Sequence, residues 1–182
     1  MNKFFQVIWE LVKIAAIALL IVIPIRQFVF QPFIVRGASM EPNFQDFDYL
    51  IINEISYRFE TPDRGDVIVF KSPMNPSQRF IKRVIGLPGE TISIQSGEIT
   101  IKTESKTITL NEDIYLPSTT VTSNSGPIEL GGDEYFVLGD NRSSSYDSRY
   151  FGAIKRNTII GKVALRFSIG GAFASNFFQT AQ

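Results

Sequence analysis

The chain contains 182 residues, a length that suits one domain of ordinary size plus an appended segment. Lys and Arg number 18, as do Asp and Glu, and this neutrality argues against a nucleic-acid binder, which usually carries a basic excess. The chain has no cysteine and no histidine, which excludes disulfides, thiolate or imidazole metal ligands, and histidine-based catalytic triads. Acid–base chemistry must therefore come from carboxylates, lysine, tyrosine or an amine terminus, and neither a cofactor nor a metal is expected.

The first predicted element is an apolar run over Val7–Ile25, interrupted by Glu10 and Lys13. A helix of ~20 mostly apolar residues can cross a bilayer core, so we predict a transmembrane anchor over 7–25, preceded by a short segment, 1–6. A buried helix of a soluble protein and a cleavable secretory signal are the alternatives. No small-x-small cleavage site follows the run, and this favours an uncleaved anchor.

Positive charges mark the orientation of this anchor. Lys3, Lys13 and the amino terminus lie on one side of it, and Arg26 lies on the other. The positive-inside tendency favours a cytoplasmic N-terminus. We therefore expect residues 26–182 to form a domain outside the cytoplasm.

Residues after the anchor read almost entirely as β-structure, with no helical periodicity after residue 30. The predicted strands are Tyr49–Tyr57, Asp66–Lys71, Arg79–Ile85, Thr91–Gln95, Glu98–Lys102, Lys106–Leu110, Glu134–Leu138 and Ile159–Phe167. The segment Thr91–Lys102 alternates apolar and polar residues around Ser-Gly, a hairpin signal. Residues 117–127 are predicted as a polar loop with no assigned role, and 170–182 as a loosely packed end. The predicted fold is mainly β: one largely antiparallel domain of curled sheets or a partial barrel behind one helix.

A serine in the turn after the anchor is the first candidate for chemistry. Ser39 stands in the sequence GASMEP, over Gly37–Pro42, where a lone serine is ordinarily a structural turn residue. It becomes a candidate nucleophile only if a neighbouring group can take its proton. In a chain without histidine, a lysine base is the leading remaining option, which gives a Ser-Lys dyad.

Lys82 is the candidate base because it lies in the middle of an apolar strand. Alternation puts Phe80 and Lys82 on one face and Ile81 and Arg83 on the other, so the two cations cannot both face water if one side is buried. The ordinary interpretation is a solvent-facing lysine. Burial would instead lower its pKa from about 10.4 by about 3–5 units, which leaves free amine near neutral pH.

Four segments occur in order behind the apolar run: GASMEP, RGDVIVF over Arg64–Phe70, RFIKRVIGLPGE over Arg79–Glu90 and GDNRSSSYDSR over Gly139–Arg149. Together they resemble the bacterial type I signal peptidase family. The resemblance implies a serine endopeptidase, anchored in the bacterial cytoplasmic membrane by one helix, that removes signal peptides from exported preproteins after small-x-small sites. It also implies the lipid bilayer as a partner, a place near the protein translocation machinery, and no cofactor.

The same resemblance implies roles for individual residues. Ser39 matches the nucleophile and Lys82 the general base. The supporting residues match a hydroxyl that orients the lysine and two ion pairs, namely Ser145, Asp147 with Arg149, and Asp140 with Arg83. The residues around the substrate pockets match Phe33, Val35, Met40, Phe44, Phe80 and Ile81, each of which is equally an ordinary core position.

Strand geometry explains why such pockets would select small residues. An extended peptide beside a strand points alternate side chains at the enzyme. The residues one and three before the scissile bond then share a face. Shallow pockets at both positions would accept only small side chains.

Two positions depart from the family pattern. Asn43 stands where members often have threonine, a change we expect to be tolerated. Gly37 stands where some members have serine, so a side-chain donor to the oxyanion is missing. The backbone N–H of Ser39 would then carry more of that stabilisation.

Three other interpretations compete with this resemblance. A self-cleaving repressor of the Ser-Lys kind would carry a DNA-binding helical domain and an Ala-Gly cleavage dipeptide, and neither is present. The eukaryotic-type signal peptidase subunit uses histidine as its base, which this chain lacks. A membrane-anchored β binding module, with Ser39 and Lys82 inert, stays open from the sequence.

Overall fold

The structure is a computed structural model that describes residues 3–28 and 30–168. Its first element is helix α1, Lys3–Phe28, which extends beyond the predicted 7–25 at both ends. The stretch Phe4–Ile23 has a mean hydropathy of 2.2, and none of it is buried against the rest of the chain. The alternative of a buried core helix is therefore wrong. The predicted loosely packed end, 170–182, lies outside the described residues.

The rest of the described chain is β-structure with short helical turns. The strands are β1 Phe30–Ile34, β2 Tyr49–Asn53, β3 Val67–Lys71, β4 Arg79–Gly86, β5 Thr91–Gln95, β6 Glu98–Lys102, β7 Thr107–Thr109, β8 Ser125–Glu129, β9 Glu134–Leu138, β10 Ile154–Lys155 and β11 Ile159–Phe167. The helical turns are α2, Ser148–Phe151, and two 3-10 turns, Ser56–Arg58 and Arg156–Thr158. The predicted mainly-β fold is confirmed.

The strands form two antiparallel sheets. The larger has seven strands in the order β1-β2-β11-β3-β4-β9-β10 and curls into a half-barrel, and the smaller has four in the order β7-β6-β5-β8. The hairpin predicted over Thr91–Lys102 is present, with Gln95 opposite Glu98. Its turn residues Ser96 and Gly97 have φ of 53° and 88°, the left-handed conformation that closes a tight hairpin.

Strand β4 lies inside the larger sheet, between β3 and β9, and is buried on both faces from Ile81 to Gly86. Ile81 joins a core cluster with the residues that follow β1, including Val35, Met40 and Phe44. Val84, which has the opposite parity, lies in a second core cluster with Ile68 and Phe70. Side chains of both parities along β4 are therefore withdrawn from water, which decides the environment of the cations in this strand.

Three local predictions need correction. The strand predicted over Tyr49–Tyr57 ends at Asn53, because the Asn53 side chain accepts hydrogen bonds from the N–H groups of Ile55 and Ser56 and turns the chain into a 3-10 turn. The predicted loop 117–127 overlaps strand β8, which pairs with β5. A helix, α2, does occur after residue 30, but its four residues are too few to show a period.

Candidate active site

Ser39 and Lys82 come together from two separate elements. Ser39 lies in the turn that follows β1, and Lys82 lies midway along β4. Lys82 Nζ lies 2.6 Å from Ser39 Oγ and donates a second hydrogen bond, of 2.9 Å, to the Ile81 carbonyl. The distance is that of a nucleophile and its base in contact.

Burial of Lys82 makes its amine a usable base. Its residue is 4% exposed, so the solvent-facing interpretation is wrong. Desolvation lowers the pKa of Lys82 from 10.5 to about 8, while the negative charges of Asp147 and Asp140 oppose this by raising it. A substantial fraction of the amine is therefore neutral at mildly alkaline pH.

The neighbouring cation, Arg83, is buried on the opposite side of β4. It makes a bidentate ion pair with Asp140, with Nε 2.8 Å and Nη2 2.6 Å from the two carboxylate oxygens. The Tyr115 ring lies beneath the guanidinium, 4.1 Å from Cζ to the ring centroid. A guanidinium cannot lose its proton, so it needs this carboxylate when buried. The lysine next to it has a hydroxyl partner instead.

The turn that carries Ser39 is held by the loop after β9. Asn141 donates through its backbone N–H to the Ser39 carbonyl at 3.1 Å and through Nδ2 to the Ala38 carbonyl at 3.0 Å. On the other side, the Gly37 N–H donates to Asp46 Oδ1 at 2.9 Å. Gly37 has φ +87° with open space where a side chain would stand, so the backbone conformation favours glycine there.

Gly139 allows the close approach of that loop to Ser39. A β-carbon at this position would lie 2.4 Å from the Ser39 carbonyl oxygen and 2.1 Å from Ser145 Oγ, which is far inside contact distance. Sequence reasoning assigned Gly139 no function, although a glycine directly after a strand and before Asp-Asn was the available signal.

Ser145 is buried beside the dyad, at 8% exposure. Its Oγ packs on the Gly139 backbone and makes no hydrogen bond within the described part of the chain. The structure thus brings Ser145 next to Ser39 without a bond to Lys82. Its role in orienting the lysine stays a prediction.

Asp147 makes hydrogen bonds and an ion pair that stabilise the loop after β9. The carboxylate is fully buried and accepts the Gly139 N–H at 3.0 Å. It also caps α2 by accepting the Arg149 N–H, and it pairs with the Arg149 guanidinium through two bonds of 2.8 Å. Arg149 reaches onward to Ser123 Oγ at 2.9 Å. Every oxygen of this buried carboxylate therefore has a donor, as a buried charge requires.

A cleft of about 320 Å³ opens over the dyad. Its lining contains both dyad residues, and the remaining residues are Phe33, Ile34, Arg36, Ser77, Arg79, Phe80 and Ile81. Three of the six predicted pocket residues thus line it: Phe33, Phe80 and Ile81.

The other three predicted pocket residues, Val35, Met40 and Phe44, are at most 2% exposed and lie in the core cluster. They support the cleft from beneath and do not line it. Ile34, Arg36, Ser77 and Arg79 were not predicted, because single polar or edge-strand residues carry no local signal.

Among the described residues, no group of three or more His, Cys, Asp or Glu side chains is arranged to hold a metal ion.

The fold and the site together define a class of protein. A curled antiparallel domain behind helix α1, with a serine hydrogen-bonded to a buried lysine, is typical of a serine peptidase anchored by one N-terminal helix.

Comparison with known proteins identifies the family. The family model described as signal peptidase, peptidase S26, matches residues 8–168. Signal peptidase I V of Bacillus subtilis (strain 168) is 35% identical over 169 residues, which cover 86% of this chain and 95% of that protein. Signal peptidase I of Leptolyngbya laminosa is 38% identical over 165 residues, 87% of this chain and 78% of that one. Probable signal peptidase I-2 of Synechocystis is 36% identical over 163 residues, which cover 87% of this chain and 72% of that protein.

The chain belongs to the signal peptidase I family, peptidase S26. It is a type I signal peptidase with an N-terminal hydrophobic helix as its anchor. The alternative of an inert β binding module is therefore wrong.

Proposed function

We propose that this chain cleaves signal peptides from exported preproteins with Ser39 as the nucleophile and Lys82 as the general base. The observation that carries the proposal is the 2.6 Å distance between Lys82 Nζ and Ser39 Oγ. Position alone would not suffice, because a protonated ammonium cannot accept a proton. Burial supplies the second condition by lowering the pKa of Lys82 to about 8.

The reaction follows from these two groups. Neutral Nζ takes the proton of the Ser39 hydroxyl as Oγ bonds to the carbonyl carbon of the scissile bond. The resulting ammonium gives that proton to the leaving amine, the C–N bond breaks, and the signal peptide stays on Ser39 as an ester. Lys82, neutral again, then takes a proton from water as the water oxygen bonds to the ester carbon. The C–Oγ bond breaks, Lys82 returns the proton to Ser39 Oγ, and the signal peptide leaves with a free carboxyl group.

The oxyanion formed in each step is assigned to the backbone N–H of Ser39. Gly37 offers no side-chain donor, and its own N–H is bound to Asp46. Asn141 holds the peptide group of this N–H through the Ala38 carbonyl and the next peptide group through the Ser39 carbonyl, so the donor is fixed before charge develops. Preorganised donors of this kind are the usual source of oxyanion stabilisation.

Small residues before the scissile bond suit the walls of the cleft. Phe33 and Phe80 are half-buried side chains in its lining. Ile81, a residue of β4, also lines the cleft and belongs to the core cluster. Val35, Met40 and Phe44 pack beneath and leave the wall little freedom to move. We propose that this wall sets the small-x-small rule, since bulky side chains would overpack it.

We propose further that the enzyme resides in a bacterial cytoplasmic membrane, close to the protein translocation machinery. Residues 1–6 would lie in the cytoplasm, 7–25 in the bilayer and 26–182 outside, as the positive-inside tendency suggests. Exposed apolar side chains along Phe4–Ile23 support contact with lipid. Protease accessibility of residues after 26 in sealed right-side-out vesicles tests this orientation.

Cleavage of a preprotein by purified full-length variants tests the dyad. Ser39→Ala and Lys82→Ala should each reduce cleavage to background, and the double variant should be no worse, because the two residues act as a unit. Lys82→Arg should also fail, since guanidinium stays protonated. Ser144→Ala and Lys71→Ala change exposed residues and are the matched controls. Losses that multiply independently would contradict the dyad.

The pH profile provides the second arm of this test. Since Lys82 must be neutral in the free enzyme, kcat/KM should rise through an apparent pKa of about 8 and stay high at alkaline pH. A profile that falls between pH 6 and pH 9 would show that a protonated acid is required instead.

A further inference from the structure

A segment with no recognisable motif contacts the scaffold of the dyad. Residues 111–123, between β7 and β8, are here called the brace segment. Glu112 and Thr122 contact Arg142, and Ser123 contacts Arg149. The brace segment lies far from Ser39 in the chain and contacts the loops that hold it.

The strongest of these contacts is the ion pair of Glu112 with Arg142. Both Nη atoms of Arg142 donate to the carboxylate, at 2.7 and 2.6 Å, and the Arg142 side chain is 1% exposed. Such a bidentate pair fixes the guanidinium in position and orientation. Loss of the carboxylate would leave a buried cation without a counter-charge.

Arg142 passes this restraint to the nucleophile through the loop after β9. Its Nε donates to the Gly139 carbonyl at 2.9 Å. Two residues on, the N–H of Asn141 donates to the Ser39 carbonyl at 3.1 Å. Glu112 is thus connected to the peptide of Ser39 through Arg142 and two successive parts of one short loop.

Asn43 makes a second connection from the same segment to the Ser39 turn. Its Nδ2 donates to the Tyr115 carbonyl at 2.7 Å and to Asp140 Oδ2 at 2.8 Å. Tyr115 in turn donates its hydroxyl to Glu112. A threonine has one donor where the asparagine amide has two, so it could not make both bonds. Asn43, the departure from the family pattern, therefore joins the turn to the brace segment.

We propose that Glu112 is a positioning residue for Ser39, acting through Arg142, with Asn43 as the parallel link. The inference rests on the proposed dyad, since it concerns the placement of its nucleophile. Neither residue is part of the cleft lining, so the effect is on geometry and not on substrate contact. Misplacement of a reacting group by about 1 Å can reduce rate by about 10²-fold.

Glu112→Gln and Glu90→Gln form a matched pair of variants in the full-length enzyme. Glu90 also makes a bidentate pair, with Arg64 at 2.9 and 2.6 Å, in a largely buried setting where the arginine side chain is 16% exposed against 1% for Arg142. The Arg64–Glu90 pair binds the Ile85 carbonyl and the Leu87 N–H, not the loop that holds Ser39. Both variants should lose stability to a similar degree, which urea denaturation measures.

Steady-state cleavage of one preprotein then separates positioning from stability. We expect Glu112→Gln to lower kcat about tenfold or more relative to Glu90→Gln, with KM within about twofold of the starting enzyme. Glu112→Asp, which keeps the charge, should recover part of kcat. Equal kcat for Glu112→Gln and Glu90→Gln, at temperatures where both are folded, would overturn the proposal.

Asn43→Ala decides the question if Glu112→Gln does not fold. It removes both amide bonds but no buried charge, and the same fall in kcat at unchanged KM is expected; an unchanged kcat would overturn the proposal. Ser39→Ala in the same assay keeps the two hypotheses apart. Activity remaining in Ser39→Ala would refute the dyad itself, whereas an inactive Ser39→Ala with an unaffected Glu112→Gln would refute only the positioning role.

Discussion

Replacement of Lys82 by methionine should stabilise the fold in a manner that depends on pH. Methionine has a similar length and no charge, so Lys82→Met removes the cost of burying an ammonium in a site that is 4% exposed. We expect the variant to be inactive as a protease, since it lacks the proposed base. The cost of the base is therefore measurable as folding free energy.

The magnitude follows from the pKa of Lys82, which falls from 10.5 to about 8 in the folded protein. At about 1.36 kcal/mol for each pKa unit, the charged form is disfavoured in the folded state by about 3 kcal/mol. Below pH 8 both states carry the proton and the full penalty applies. Between pH 8 and 10.5 the folded state loses its proton first, so the starting protein gains stability as pH rises, and above 10.5 the penalty is gone.

Methionine also forfeits the hydrogen bonds to Ser39 and the Ile81 carbonyl, a loss of about 1–3 kcal/mol that offsets part of the gain. The test is therefore the change in the difference between the two proteins. The free energy of unfolding of Lys82→Met minus that of the unsubstituted protein should fall by about 3 kcal/mol between pH 7 and pH 10.5.

Urea denaturation followed by circular dichroism of the β-domain measures this difference. The single tryptophan, Trp9, lies in α1, so its fluorescence would not report unfolding of the sheets. Lys71→Met, at an exposed lysine of β3, is the matched control and should show no such pH dependence. A stability difference that stays constant from pH 7 to 10.5 would refute the assignment of a desolvated amine.

Three further outcomes are expected. Replacing alanine by leucine just before the scissile bond should stop cleavage, whereas glycine or serine should be tolerated with modest loss. Changes two residues before the bond, at the side chain that points away from the enzyme, should matter little. Equal cleavage of alanine and leucine substrates would contradict the pocket model. Gly139→Ala should lower both the melting temperature and kcat, because its β-carbon would lie 2.4 Å from the Ser39 carbonyl oxygen. The expected loss in the free energy of unfolding is about 1–3 kcal/mol. Unchanged activity would show that the loop can move away freely. Deletion of residues 1–25 should reduce processing of a preprotein in vesicles more than cleavage of a short soluble peptide, since confinement and orientation are lost; equal effects on both substrates would contradict this.

Local alternation was sufficient to predict several strands. Thr91–Gln95, Glu98–Lys102 and Ile159–Phe167 have the predicted bounds, because each presents a regular pattern to one buried face. Glu134–Leu138 also has the predicted bounds, but it is a short apolar run buried on both faces. Strand β1 was missed, since it follows α1 closely and contains Pro32, a residue that argues against a strand except at an edge. As the first strand of the larger sheet, β1 is such an edge.

The dyad could be anticipated from the chemistry that the composition leaves available, together with the family motifs. Burial of Lys82 and Arg83 on opposite sides of β4 could not, because a strand pattern does not reveal that both faces are covered. The contacts of Asn43 and Glu112 were also invisible, since they join residues 72 and 30 positions apart in the chain. Such pairs depend on tertiary packing and leave no periodic trace.

The short connection between α1 and β1 limits the distance between the apolar stretch of α1 and the cleft. The apolar stretch ends at Ile23, α1 ends at Phe28, and β1 begins at Phe30 and brings Phe33 into the cleft lining. With ~1.5 Å per helical residue and ~3.5 Å per extended residue, the chain from Ile23 to Phe33 spans at most ~25 Å. A preprotein whose apolar segment ends at the same depth covers that distance with about seven extended residues. The anchored enzyme would therefore reach only small-x-small sequences within about seven extended residues of the apolar segment, and it would leave an identical sequence farther along the preprotein uncut.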